Sequence, residues 1–89
     1  MTAPLEIAVQ GTPNPNAMKV TLNRVVATHG TTYRDSASAE TLWAQQLLQI
    51  PGVIQLFAIN NFISISKTPD ADWQSISPQV ERVLKQSFA

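Results

Sequence analysis

With 89 residues, six acidic and six basic side chains, one histidine and no cysteine, the chain has material for one small domain with a single two-layer core. It has no net field to draw it onto phosphate backbones or anionic lipid. The missing cysteines exclude disulfides, thiolate metal ligation and thiol nucleophiles together. No apolar run approaches the roughly 20 residues of a membrane span, and the first five residues lack the charged and apolar regions of a signal peptide; the expectation is a cytoplasmic protein with no nucleic-acid or membrane partner.

Residues 5–10 alternate, with Leu5, Ile7 and Val9 on one face and Glu6, Ala8 and Gln10 on the other, as a half-buried strand does. Residues 17–23 alternate again, Met18, Val20 and Leu22 opposing Lys19, Thr21 and Asn23. The two strands are expected to pair as a hairpin through a long, stiffened loop. In that loop Pro13 and Pro15 fix their own φ and push Thr12 and Asn14 toward extended backbone. Asn14 and Asn16 either close turns on following amides or present their carboxamides outward to a ligand. The loop reads in one way as a well-made strand connection and in another as a pre-ordered recognition surface.

Residues 24–35 hold two β-prone runs about His29-Gly30 and are compatible with a small hairpin arm or a short edge strand. His29 beside glycine reads as a solvated turn residue before it reads as a ligand. A helix is then expected, capped by Ser36 or Ser38, with Glu40 in its first turn, running to about residue 49. Ala39, Leu42, Trp43, Leu47 and Ile50 lie on one apolar arc, while Leu48 falls off it and is exposed unless the last turn is distorted. Pro51-Gly52 stops the helix.

Residues 53–59 and 62–67 flank Asn60-Asn61, a pair that tolerates positive φ and so permits a two-residue hairpin. That register sets Ile59 against Phe62, Ala58 against Ile63, Phe57 against Ser64 and Leu56 against Ile65. Leu56, Ala58, Ile63 and Ile65 then enter the core, and Phe57, Ile59, Phe62, Ser64 and Ser66 share the other face. The last helix is capped by Asp70 or Asp72 and carries Trp73, Ile76, Val80, Val83 and Leu84 inward, with Phe88 near the edge of the arc. Pro78 predicts a first turn over residues 72–76 and then a kink or restart, with Ser77 as the new cap.

These elements predict an α+β two-layer sandwich in the order ββαββα. Its four-stranded, largely antiparallel sheet carries two helices on one face, with an extra short hairpin allowed at residues 24–35. The uncovered face displays Lys19, Thr21, Phe57, Ile59, Phe62 and Ser64 beside the rigid loop.

The stretch Thr12-Pro13-Asn14-Pro15-Asn16-Ala17-Met18-Lys19 resembles the opening signature of the N-terminal domain of Nfu-type iron–sulfur scaffold proteins. Residues 47–53, residues 61–67 and Asp72-Trp73 agree with it in order, so the resemblance covers nearly the whole of residues 1–89 as a single domain. The sequence departs from the family pattern at residues 41–44, at Leu48 and at Asn60-Asn61, where an acidic turn residue is usual. In the longer scaffolds that it is similar to, a second domain supplies a Cys-x-x-Cys pair for the cluster; no cysteine is present here. The resemblance therefore implies a stand-alone accessory domain that binds no cofactor alone and meets an iron–sulfur cluster only through a partner.

The function expected on this basis is a non-catalytic binding module. It docks a cysteine-bearing scaffold or a client apoprotein through Thr12, Pro13, Asn14, Pro15, Asn16, Lys19, Phe57, Phe62, Ser64 and Lys67. The alternative is recognition of a small anion or phosphopeptide by the loop amides, the asparagines and Lys19 or Lys67, lysine being a suitable point charge for phosphate. Catalysis has no support: His29 stands without an activated nucleophile, a paired carboxylate or a glycine-rich phosphate loop. Asp70, Asp72, Glu40 and His29 are too scattered to define a metal site, and none is assigned.

Overall fold

The computed structural model describes residues 4–37, 39 and 41–88. Its elements follow the order βββαββα: β1 (Ile7–Gly11), β2 (Ala17–Leu22), β3 (Ala27–Tyr33), α1 (Leu42–Leu48), β4 (Val53–Asn60), β5 (Phe62–Lys67) and α2 (Trp73–Phe88). The α+β class holds, but the sheet has five antiparallel strands in the order β1-β2-β5-β4-β3 rather than four. The chain leaves β2 past the tip of the β4–β5 hairpin. There Leu22 N–H donates to the Asn61 carbonyl at 2.8 Å, the Asn61 carboxamide donates to the Leu22 carbonyl at 3.1 Å, and Val26 N–H donates to the Asn60 carbonyl. Having crossed the tip, residues 27–33 run back along the free side of β4, which is how they become an edge strand and not a separate arm.

His29 and Gly30 lie within β3, at a shift in register between Ala27 and Thr31, not at a turn between two arms. A Cβ on Gly30 would sit 3.1 Å from Phe57 Cζ, so the glycine leaves room for the Phe57 ring on the neighbouring strand. The β4–β5 register is the one the sequence predicts, Ile59 opposite Phe62 through Leu56 opposite Ile65, and Asn60 takes a φ of 53° at its turn. Leu56, Ala58, Ile63 and Ile65 are fully buried with Val20 and Leu22 against Ala44, Leu47, Ile76, Val80 and Leu84 of the helices. Burial of each large side chain there contributes roughly 1.5–3 kcal/mol.

α1 starts later than expected. Thr41, in extended backbone, is its N-cap residue, with no hydrogen bond from its side chain. Ser36 sits instead in a turn that Asp35 closes, its carboxylate accepting from Ala37 N–H at 3.0 Å and its carbonyl from Ala39 N–H at 3.1 Å. Ser38 and Glu40, the other expected cap and first-turn residues, lie outside the described residues. Because the helix begins at Leu42, that side chain projects past the end of the core and is 65% exposed, contrary to its place on the apolar arc. Leu48, conversely, is half-buried and packs on the core. Gly52 turns the chain at φ 96°, where a Cβ would come within 2.6 Å of Ala71 Cβ.

Asp72 caps α2, its carboxylate accepting from Gln74 N–H at 2.9 Å and its carbonyl from Ser75 and Ile76. The helix then runs through Pro78 without restarting. Ser77 is no cap; its hydroxyl faces Met18 Sδ at 4.0 Å. Pro78 removes one amide donor, and the buried side chains of Ile76, Val80 and Leu84 on either side hold the helix to the sheet across that gap. Trp43 stacks edge-on with Tyr33 at 5.7 Å and meets Phe88 at 5.8 Å, joining β3, α1 and the end of α2.

Candidate functional site

The loop between β1 and β2 uses most of its polar groups on itself. The Asn14 carboxamide oxygen accepts from Asn16 N–H at 2.9 Å, the turn-closing alternative of the two its sequence allowed. The Asn14 carbonyl accepts from Ala17 N–H at 3.0 Å. The Thr12 hydroxyl is within hydrogen-bond distance of the Asn14 and Ala17 carbonyls, at 2.9 and 3.0 Å, and accepts from Asn14 N–H at 3.2 Å. Pro13, Asn14 and Pro15 are nonetheless exposed at the surface.

A second set of bonds anchors this loop to the helix side of the sheet. Lys67 is 7% exposed, and its ammonium donates to Asn16 Oδ1 at 3.1 Å and to the Thr68 carbonyl at 3.2 Å. The indole of Trp73 lies 5.7 Å from the same nitrogen and donates its own N–H to the Pro15 carbonyl at 2.9 Å. Lys67 N–H donates to the Asn16 carbonyl at 2.8 Å. Lys67, Trp73, Pro15 and Asn16 thus form one interlock, in which the lysine and the tryptophan act as the loop's foundation.

On the other face, cross-strand register builds a continuous row over all five strands, Gln10, Lys19, Ser64, Phe57 and Thr32. Beside it run Ala8, Thr21, Phe62 and Ile59. Lys19 is exposed and places its ammonium 4.6 Å from the centroid of the Phe62 ring, a cation–π contact that holds the charge over the apolar end of the face. Phe57, Ile59, Phe62 and Ser64 are half-buried, and among the described residues no helix covers them.

The structure therefore brings Lys19, Phe57, Phe62 and Ser64 together and sets Lys67 on the opposite side with Asn16. Thr12, Pro13, Asn14 and Pro15 lie at the end of the sheet where the two surfaces meet, next to Ala17 and Lys19. The sequence reading missed the interlock with Trp73. Strand parity was the available signal, since Ile63, Ile65 and Lys67 are two residues apart and must share the buried face.

The lone histidine is exposed, with Nδ1 3.1 Å from the Thr28 hydroxyl. It lines an open hollow of about 370 Å³ with Thr28, Thr31, Tyr33 and Thr41, and none of the described lining residues is a carboxylate. Among the described residues no group of three or more histidines, aspartates or glutamates could hold a metal ion, and no helix is long and apolar enough to cross a membrane.

A small antiparallel sheet, backed by two helices on one side and bare on the other, with a proline-stiffened asparagine loop at its end, makes this a two-layer α+β sandwich with one open sheet face. The sequence matches the family described as scaffold protein Nfu/NifU N terminal over residues 7–89, and the chain belongs to that family. It is 33% identical over 76 residues to conserved virulence factor C of Staphylococcus aureus, covering 84% of this chain, and 32% identical over 79 residues to the protein of that name from Staphylococcus haemolyticus, covering 88%. This chain spans about a fifth of the length of those curated relatives, 20% and 21% respectively. Among solved structures, the crystal structure of protein SAV1430 from Staphylococcus aureus superposes with a TM-score of 0.81 at 32% identity, covering 89% of this chain and 98% of that one. A NifU-like protein from Saccharomyces cerevisiae gives a TM-score of 0.80 at 26% identity, covering 93% and 77%.

Proposed function

We propose that this chain is a non-catalytic binding module of iron–sulfur cluster assembly that docks a cysteine-bearing scaffold or client apoprotein. The observation that supports it is the uncovered sheet face, where Lys19 is held over Phe62 in register with Ser64 and Phe57, next to a loop already fixed by its own hydrogen bonds. A surface of that kind has little conformational entropy left to lose on binding. Half-buried aromatic rings supply apolar area, and the cation and hydroxyl supply orientation. The cluster is cargo held by the partner's thiolates, since the chain contains no cysteine. Recognition of a small anion has fewer donors to draw on, with the main-chain N–H groups of Asn14, Asn16 and Ala17 engaged inside the loop and Lys67 buried.

The test is an amide NMR titration of the labelled domain with a cysteine-bearing scaffold domain from the same organism, apo and cluster-loaded. Shifts confined to residues 12–19 and 57–64 are expected, and they should weaken at least tenfold in affinity for Phe62→Ala. An absence of shifts at high micromolar partner would rule out scaffold docking.

A further inference from the structure

The two edges of the sheet are built differently. β3 is broken by the register shift between Ala27 and Thr31 and carries Gly30 there. An interrupted edge of this kind discourages pairing with another strand. β1 has no such protection. Its register with β2 is unbroken from Ile7 to Gly11, it contains no charged residue and no proline, and residues 8–11 are all exposed. Val9 is 39% exposed on the side that faces the core of the sheet.

The hydrogen-bond phase of β1 follows from one contact. Asn23 N–H donates to the Glu6 carbonyl at 3.2 Å, and Glu6 N–H is taken by the Asn23 side chain at 2.9 Å, so Glu6 turns its main chain toward β2. In an antiparallel pair this alternates. Ala8 and Gln10 therefore also bond to β2, and Ile7, Val9 and Gly11 direct their N–H and C=O groups away from it, to the open edge.

We infer that β1 pairs antiparallel with β1 of a second copy of this chain, about a two-fold axis at Val9. Val9 then lies opposite Val9 of the second copy, and Ile7 opposite Gly11 in both directions, so that the outward groups of the three residues are satisfied by about six main-chain bonds. Ala8 faces Gln10 on the bare side. No charge meets a like charge at any paired position from 7 to 11. The strand is thus its own complement: the axis covers each exposed valine with its equivalent, which a strand of unrelated sequence has no reason to do. The axis is normal to the sheet, so both helix layers fall on one side and both bare faces on the other, in a continuous ten-stranded sheet. A five-residue edge buries little area, and the association is accordingly weak and reversible.

Sedimentation velocity and amide NMR from about 10 μM to about 1 mM, the range in which such a contact is populated, provide the test. The expected result is a rise in weighted mass toward twice that of the monomer, with exchange protection gained at the amides of Ile7, Val9 and Gly11 and not at Ala8 or Gln10. Val9→Lys and Val9→Glu, checked for native circular dichroism, should each stay monomeric at the highest concentration, and an equimolar mixture should associate again. A wild-type chain that stays monomeric at about 1 mM, association unaffected by both substitutions, or a mixture that fails to recover would each overturn the inference. The same would follow if β1 captured only an extended segment of another protein.

Discussion

Lys67 has a flexible stem and a charge that prefers water, yet it is among the buried residues, beneath the Trp73 ring and bonded to neutral oxygens of Asn16 and Thr68. A buried ammonium is retained at a desolvation cost, and of the two hydrogen bonds that offset it here, the one to Asn16 fixes the Pro-Asn loop. Lys67→Met keeps the apolar stem and removes the donor. The expected loss is about 1.5–3 kcal/mol, the range for a hydrogen bond to a charged group, measured by urea denaturation. Its position matters more than its size. Amide exchange at Asn16 and Ala17 should accelerate while the β4–β5 amides keep their protection, and uniform behaviour across both regions would show that the lysine does not hold the loop.

At the scale of elements, α2 carries its own conflict. Pro78 lies in the sixth position of the helix, exposed, with the Gln74 carbonyl one turn earlier deprived of its donor. Pro78→Ala restores that bond and relieves the ring's clash. Part of the gain is offset, because the proline also restricts the unfolded chain by about 0.4–1 kcal/mol. A net stabilisation of about 1–2 kcal/mol is expected from the midpoint of chemical denaturation. A lower midpoint would mean that the helix is shaped around the proline.

How the elements were legible follows from which contacts are local. The β4–β5 hairpin was readable because Asn60-Asn61 sets turn length and parity sets the rest, and the structure keeps every pair. β3 was ambiguous because Gly30 looks like a turn residue until Phe57, 27 positions away in sequence, is laid across it. Leu42 was placed in the core by a periodic arc that is true of a helix interior, but the helix starts at that residue. For the candidate site, alternation alone places Lys19, Phe57, Phe62 and Ser64 on one face, as the strand register does. The interlock of Lys67 with Trp73 was not found, because it joins a strand end, a loop and a helix start that only the fold brings together.

Over the whole molecule, the two-layer arrangement makes neighbouring residues of one strand unequal. Ile63 is fully buried beneath the helices, and Phe62, the residue before it, lies half-buried on the bare face with Lys19 above its ring. Ile63→Ala removes packed volume that the surrounding side chains cannot fill, and a loss of about 2–5 kcal/mol is expected. Phe62→Ala leaves no enclosed cavity, since solvent reaches that face. Its cost is the partial apolar burial and the cation–π contact, together about 1–2 kcal/mol. In functional assays the order should invert. The Phe62 variant should stay folded and lose partner affinity, whereas the Ile63 variant should bind in proportion to its folded fraction. Paired denaturation and binding curves separate the two, and equal stability losses would mean that the bare face is covered in solution. That outcome would also tie the bare face to the core's energetics, leaving it no surplus of exposed apolar area with which to bind a partner.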